Sequence, residues 1–71
     1  MTGAEFVRRM RRLGRKHGVA VEFRAERGKG GHGTLYYGPR FTLVRSLRDE
    51  LKPGTLRAML RQLGLGPNDL R

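Results

Sequence analysis

Residues 28–38 read GKGGHGTLYYG, and this stretch decides how the rest of the chain can fold. Its first half is a glycine-rich basic loop, in which glycine permits positive φ and lets a ligand approach the backbone amides. Its second half, residues 32–37, alternates between two faces as a strand does. Leu35 and Tyr37 fall on one face, and His32, Thr34 and Tyr36 fall on the other.

His32 stands where the loop becomes the strand, and Lys29 places a positive charge three residues before it. Histidine changes its charge near neutral pH, so it can move protons in that range. A site that binds a phosphodiester and transfers its protons would use this combination. The plainer interpretation is a polar residue on an exposed strand face, and the local pattern alone favours it.

Two further strands flank this one. Residues 19–26 alternate apolar and polar side chains, which predicts a half-buried strand before the loop. Residues 38–40, Gly-Pro-Arg, form a turn signal, and residues 41–45 then predict a third strand. Because the connection is so short, the second and third strands are expected to form an antiparallel hairpin.

A helix is predicted on each side of the three strands. The first covers residues 2–17, where Thr2 and Glu5 form a capping box. The second begins at Pro53, which suits a first helical turn, and ends at Gly64. Both helices carry an apolar stripe with the spacing i, i+4, i+7: Phe6, Met10 and Leu13 in the first, and Leu56, Leu60 and Leu63 in the second.

The predicted order is α-β-β-β-α, an α+β fold with a three-stranded antiparallel sheet. Two apolar helix stripes need one surface to cover, so both helices are expected on one face of the sheet. The opposite face is left for water or a ligand. This layout is similar to that of double-stranded-RNA-binding domains. We expect a single domain over residues 1–65 and a short C-terminal tail over residues 66–71.

The chain is strongly basic. Its 71 residues include 16 Lys and Arg against 6 Asp and Glu, a formal net charge of +10, and thirteen of the sixteen are arginine. Arginine binds phosphate through two parallel hydrogen bonds, so nucleic acid is the first expected partner. An acidic protein or a merely solvated surface remain alternatives. The first helix has a basic face that could equally be solvated or contact RNA or an acidic partner: Arg8, Arg11, Arg12, Arg15 and Lys16.

Other classes of protein are disfavoured by what the sequence lacks. It has no cysteine, which excludes disulfide scaffolds and cysteine-bound metals and fits a cytoplasmic location. No apolar run approaches the roughly 20 residues of a membrane span, so no membrane association is expected. No cluster of Asp, Glu or His favours a two-metal nuclease, and we expect no cofactor or metal.

Residues 51–65, LKPGTLRAMLRQLGL, closely resemble a signature of the form L-x-x-G-T-L-R-x-I-L-x-Q-x-G-L. This signature is typical of the C-terminal part of the HicA toxin family. Upstream, residues 28–33, GKGGHG, resemble the G-x-G-S-H motif of the same family. The resemblance covers essentially the whole chain except its tail.

The resemblance implies a ribonuclease toxin that cleaves mRNA and is covered by a cognate HicB antitoxin in a hetero-oligomer. The histidine of the glycine-rich motif is taken as catalytic, and by position this is His32. Two departures from the family pattern occur beside it. Gly31 stands where the family usually has serine, and Gly33 stands where many members have a second histidine. If that second histidine were the catalytic one, His32 would replace it from the neighbouring position.

RNA can be cleaved without metal when its own 2′-OH attacks the adjacent phosphorus. His32 could then act as base or acid, with Lys29 and the amides of Gly30 and Gly31 stabilising the phosphate charge. Tyr36 could orient the histidine or stack on a base. Lys52 and Arg57 could bind phosphate with the start of the second helix, or could be solvated. The alternative function is a non-catalytic RNA-binding domain of the same fold.

Overall fold

The computed structural model of the protein describes residues 1–28 and 30–70. It contains five principal elements and a terminal 3-10 helix. They are α1 (Gly3–His17), β1 (Val21–Ala25), β2 (Gly33–Tyr37), β3 (Arg40–Val44), α2 (Pro53–Gln62) and the 3-10 helix Pro67–Leu70. The α-β-β-β-α order and the α+β class are therefore as predicted.

Helix α1 has the predicted capping box at its start. The Thr2 hydroxyl accepts a hydrogen bond from the Glu5 amide, and the Glu5 carboxylate accepts one from the Thr2 amide. This bond from the Thr2 amide holds the pKa of the Glu5 carboxyl below its ordinary value. The helix ends at Gly18, whose φ of 69° lies in the left-handed region that glycine adopts easily.

The sheet is antiparallel, with the order β1-β2-β3. All three strands are shifted or shortened relative to the predicted ranges. Arg40 pairs with Tyr37, so the hairpin turn contains only Gly38 and Pro39 and the third strand begins one residue early. The second strand begins at Gly33 rather than at His32, although the His32 carbonyl still accepts a hydrogen bond of 2.7 Å from the Glu26 amide.

One face of the sheet and both helices enclose the core, as the two apolar stripes predicted. The fully buried hydrophobic side chains are contributed by α1, β2, β3 and the C-terminal helical segment: Phe6, Met10, Leu35, Val44, Leu60 and Leu63. The buried Thr42 hydroxyl donates a hydrogen bond to the side-chain carbonyl of Gln62, which ties β3 to α2. Both helices thus lie on the same face of the sheet.

The opposite face of the sheet carries no helix, and we call it the open face. Its side chains alternate with the buried ones along each strand: Glu22 and Arg24 on β1, Thr34 and Tyr36 on β2, and Phe41 and Leu43 on β3. Phe41 and Leu43 are more than half exposed there. Because His32 and Arg45 continue the same alternation beyond the strand ends, the open face is the surface on which the predicted site must lie.

The C-terminal tail contains structure that the sequence pattern did not predict. Its residues Pro67–Leu70 form the 3-10 helix, and Leu70 packs at the edge of the core.

Among the described residues, neither helix combines the length and the apolar character that crossing a membrane requires.

Candidate functional site

His32 and Glu26 face each other at one end of the sheet. The antiparallel register of β1 and β2, extended by one residue, places them side by side, and the Glu26 amide hydrogen bonds to the His32 carbonyl. The His32 Nδ1 lies 3.7 Å from the Glu26 Oε2. That separation lies within ion-pair distance but is longer than a hydrogen bond.

The His32 side chain is 30% exposed, so it is held by its surroundings but can be reached from solvent. Because Nδ1 faces the carboxylate, Nε2 is the ring nitrogen left for a substrate. A carboxylate in this position favours the tautomer with a proton on Nδ1, which leaves the Nε2 lone pair free. The pair therefore has the arrangement of an oriented general base.

Arg45 lies on the other side of His32. Val44 pairs with Gly33 at the end of the β2–β3 ladder, so continuing this register by one residue puts Arg45 across from His32. Gly33 and Val44 point into the core, and the next residues must therefore point to the open face. Glu26, His32 and Arg45 consequently form a row across the three strands, which we call the cross-strand row.

Gly33 points in the opposite direction to His32. A Cβ atom at residue 33 would lie 2.4 Å from the Arg24 carbonyl oxygen and 2.7 Å from the Phe23 ring. No side chain fits there, so a histidine at this position could not occupy the same backbone. In this chain the position that reaches the open face is residue 32, because Gly33 lies on the buried face.

Gly31 has a φ of 71°, in the region that side-chain-bearing residues avoid. A Cβ atom there would lie 3.1 Å from the Leu47 amide nitrogen. Backbone conformation and the neighbouring segment therefore both favour glycine in this chain, although serine is usual at the corresponding position of the motif.

We expect Gly31→Ser to destabilise the protein by about 1–2 kcal/mol, because serine must adopt left-handed geometry or rearrange the loop. Urea unfolding measures the change in the free energy of unfolding. The matched control is Gly30→Ser, since Gly30 lacks a positive φ and a Cβ there meets no atom within 4 Å. Equal stability of the two variants would contradict the conformational explanation.

Tyr36 lies on the open face but not beside His32. The two residues are four apart on the same strand, which separates them by about 13 Å. The Tyr36 ring contacts Phe41, with 6.1 Å between ring centroids, and the Arg24 guanidinium lies 5.6 Å from its centre. The pKa of Arg24 is raised by its hydrogen bond to Glu22. Tyr36 is thus placed to stack on a base but not to orient the histidine.

The predicted phosphate contacts are spread over three places. Gly30 and Gly31 lie in the loop before His32, while Lys29 lies outside the described residues. Lys52 is the N-cap of α2 and makes no side-chain capping bond. It shares a surface groove with Arg45 and Leu43, and Arg57 does not line that groove. The structure therefore brings Lys52, but not Arg57, towards the open face.

Two residues of the cross-strand row, Glu26 and Arg45, are absent from the sequence-based site. Their positions along the chain do not predict that they lie next to His32, because the register of the sheet decides which residues are neighbours across strands. The sequence contained one indication of them. In the alternation of each strand, Glu26, His32 and Arg45 all fall at positions whose side chains point to the open face.

A small basic α+β protein with an oriented, accessible histidine at a sheet end is thus the class that fold and site define. The sequence model of a family described as the HicA toxin of bacterial toxin–antitoxin systems matches residues 3–65. The chain belongs to this HicA toxin family, and membership implies pairing with an antitoxin. No curated protein and no solved structure gives a match to the chain.

Proposed function

We propose that the protein is an endoribonuclease toxin that cleaves mRNA without a metal ion and uses His32 as its catalytic base. The observation that carries this proposal is the accessible His32–Glu26 pair, whose Nδ1 and Oε2 atoms lie 3.7 Å apart, with Arg45 next to it in the extended strand register. Family membership supports the toxin role, and the net charge of +10 supports a polyanionic substrate.

The reaction takes its nucleophile from the substrate. His32 Nε2 removes the proton from a ribose 2′-OH, and the 2′ oxygen forms a bond to the adjacent phosphorus. The bond from phosphorus to the 5′ oxygen breaks, and that oxygen takes a proton from the solvent that reaches the half-open site. The products are a 2′,3′-cyclic phosphate and a 5′-OH end. Glu26 stabilises the imidazolium that forms when Nε2 is protonated.

Positive groups around the row stabilise the charge that develops on the phosphate. Arg45 is the cation of the cross-strand row. Its planar guanidinium has N–H donors arranged to form two parallel hydrogen bonds with phosphate oxygens. On the side of the glycine-rich loop, the phosphate is bound by the amides of Gly30 and Gly31 and by the side chain of Lys29. Lys52 binds a phosphate further along the RNA, and Tyr36 stacks on an unpaired base, whereas Arg57 lies too far from the open face to join them.

The antitoxin is proposed to be a HicB-like protein that covers the cross-strand row in a hetero-oligomer. The open face offers it an anchor, because the exposed Phe41 and Leu43 side chains lie two residues apart on β3, on the same face of the sheet as the site. Aromatic and aliphatic anchors of this kind are typical of the buried centre of a protein interface.

A direct test is incubation of the purified protein with a single-stranded RNA in the presence of excess EDTA. We expect cleavage that leaves cyclic phosphate ends, and no cleavage of DNA of the same sequence, because DNA lacks the 2′-OH. A single 2′-deoxy substitution should protect only the linkage next to it. RNA that is bound but left intact would instead identify a non-catalytic RNA-binding domain.

A further inference from the structure

A groove runs along α1, away from the cross-strand row. It encloses about 450 Å³, and one wall is formed by four cationic side chains of the helix: Arg8, Arg9, Arg12 and Lys16. The nearly buried Leu13 forms part of its floor, and the opposite wall is Asp69 and Leu70 from the terminal 3-10 helix. This cationic groove exists only because the tail folds back against α1.

Within residues 1–28 and 30–70, no ion pair involves a cation of the groove. The ion pairs found among residues 1–28 and 30–70 are Met1 with Glu50, Arg24 with Glu22, and His32 with Glu26. Asp69 is the one acid among the described residues that line the groove, and its carboxylate accepts a hydrogen bond from the Gly66 amide. Arg8, Arg12 and Lys16 repeat at intervals of four, a spacing at which like charges repel on a helix. An external anion would relieve that repulsion.

The shape and composition of the groove favour RNA over an acidic protein. Four residues of helix advance about 6 Å, so the cations follow one another at roughly the separation of successive phosphates on a strand. A protein partner would also need an apolar centre, and the exposed Phe41 and Leu43 lie on the open face instead. A nucleic acid backbone needs only the charges.

The N-terminal end of α1 lies near the glycine-rich loop of the proposed site. Ala4 continues the row of Arg8, Arg12 and Lys16 by one turn, and its amide donates a hydrogen bond of 2.9 Å to the Leu47 carbonyl. The same Leu47 lies against Gly31, directly before His32. The first turn of α1 and the glycine-rich loop therefore both contact Leu47.

We propose that the cationic groove of α1 binds the phosphate backbone of single-stranded RNA beside the linkage that is cut. This inference rests on the proposed nuclease function for its substrate but concerns binding alone. Binding of RNA by the groove can therefore be measured in the His32→Ala variant, in which the RNA stays intact. The readout is the dependence of RNA affinity on salt, because each phosphate contact releases counterions.

The test compares two pairs of arginines on the same helix. Arg8→Gln with Arg12→Gln removes two groove cations, whereas Arg11→Gln with Arg15→Gln removes two exposed cations that do not line the groove. Both pairs have the spacing i, i+4 and remove the same charge. For the groove pair we expect the slope of log affinity against log salt to fall by about 1.4, equivalent to roughly 25-fold weaker binding at 0.1 M salt.

The control pair should leave the slope close to that of the His32→Ala parent. Equal slopes for the two pairs would overturn the proposal, and so would a groove pair that weakens only the binding of the antitoxin. Circular dichroism and thermal unfolding of each variant show that the helix is retained. Failure of the nuclease function is seen separately, as intact RNA after incubation with the wild-type protein.

Discussion

RNA cleavage is expected to fall by roughly 10²–10⁴-fold when His32 is replaced by alanine, the range that general acid–base catalysis supplies. In the proposed mechanism the imidazole is the group that removes the 2′ proton. The rate to measure is that of a single turnover at saturating protein, so that product release does not mask the chemical step. In bacteria, the same substitution should relieve growth arrest caused by the toxin.

The control for this experiment is the other histidine of the chain. His17 is exposed at the last turn of α1, and His17→Ala removes the same ring from a surface outside the proposed site. Both variants should unfold at nearly the wild-type temperature, since neither ring belongs to the core. A His32→Ala protein that cuts RNA as fast as His17→Ala would overturn the catalytic assignment.

The fold could be predicted from local patterns because each of its elements has its own signal. The capping box fixed the start of α1, Gly18 fixed its end, and alternation placed Leu35 and Tyr37 in the core. These signals depend on spacing within one segment. The strand ends were less accurate, because they depend on pairing: Arg40 joins β3 only through its partner Tyr37.

The candidate site was predictable only in part for the same reason. His32 could be predicted because it belongs to a sequence motif and because the strand alternation puts it on the exposed face. Glu26 and Arg45 become its neighbours through the registers of two different strand pairs, and the cationic groove forms through the packing of the tail on α1. Such contacts join segments distant in sequence, and single-segment patterns contain no information on them.

Gly31 and Gly33 are the opposite case: the sequence shows both residues clearly, but only the structure explains them. Both positions were visible in the sequence as departures from the family motif, but their cause was not. The structure provides it: Gly31 has a positive φ beside Leu47, and Gly33 packs against the β1 backbone. The departures are therefore explained by backbone conformation and close packing, and they leave His32 accessible.

Replacing Glu26 by glutamine is expected to lower the cleavage rate by roughly 10–100-fold, as is usual when a polar partner that orients a functional imidazole is lost. Glutamine keeps the size of the side chain and its ability to accept a hydrogen bond but loses the negative charge. The imidazolium formed in the reaction is then no longer stabilised from the Nδ1 side. The loss should fall on kcat, with KM almost unchanged, because Glu26 faces His32 Nδ1 rather than the RNA.

Two measurements separate this positioning role from a general effect of charge. Glu22→Gln removes a carboxylate from the same face of β1, but four residues away and paired with Arg24 at 2.8 Å. It should leave kcat at the wild-type value. Nitrogen NMR of the His32 ring should show the Nδ1–H tautomer in the wild type and a mixture of tautomers in Glu26→Ala. If Glu22→Gln and Glu26→Gln slow cleavage equally, or if the tautomer is the same in all variants, Glu26 does not position the ring, and the imidazole must be oriented by the RNA itself.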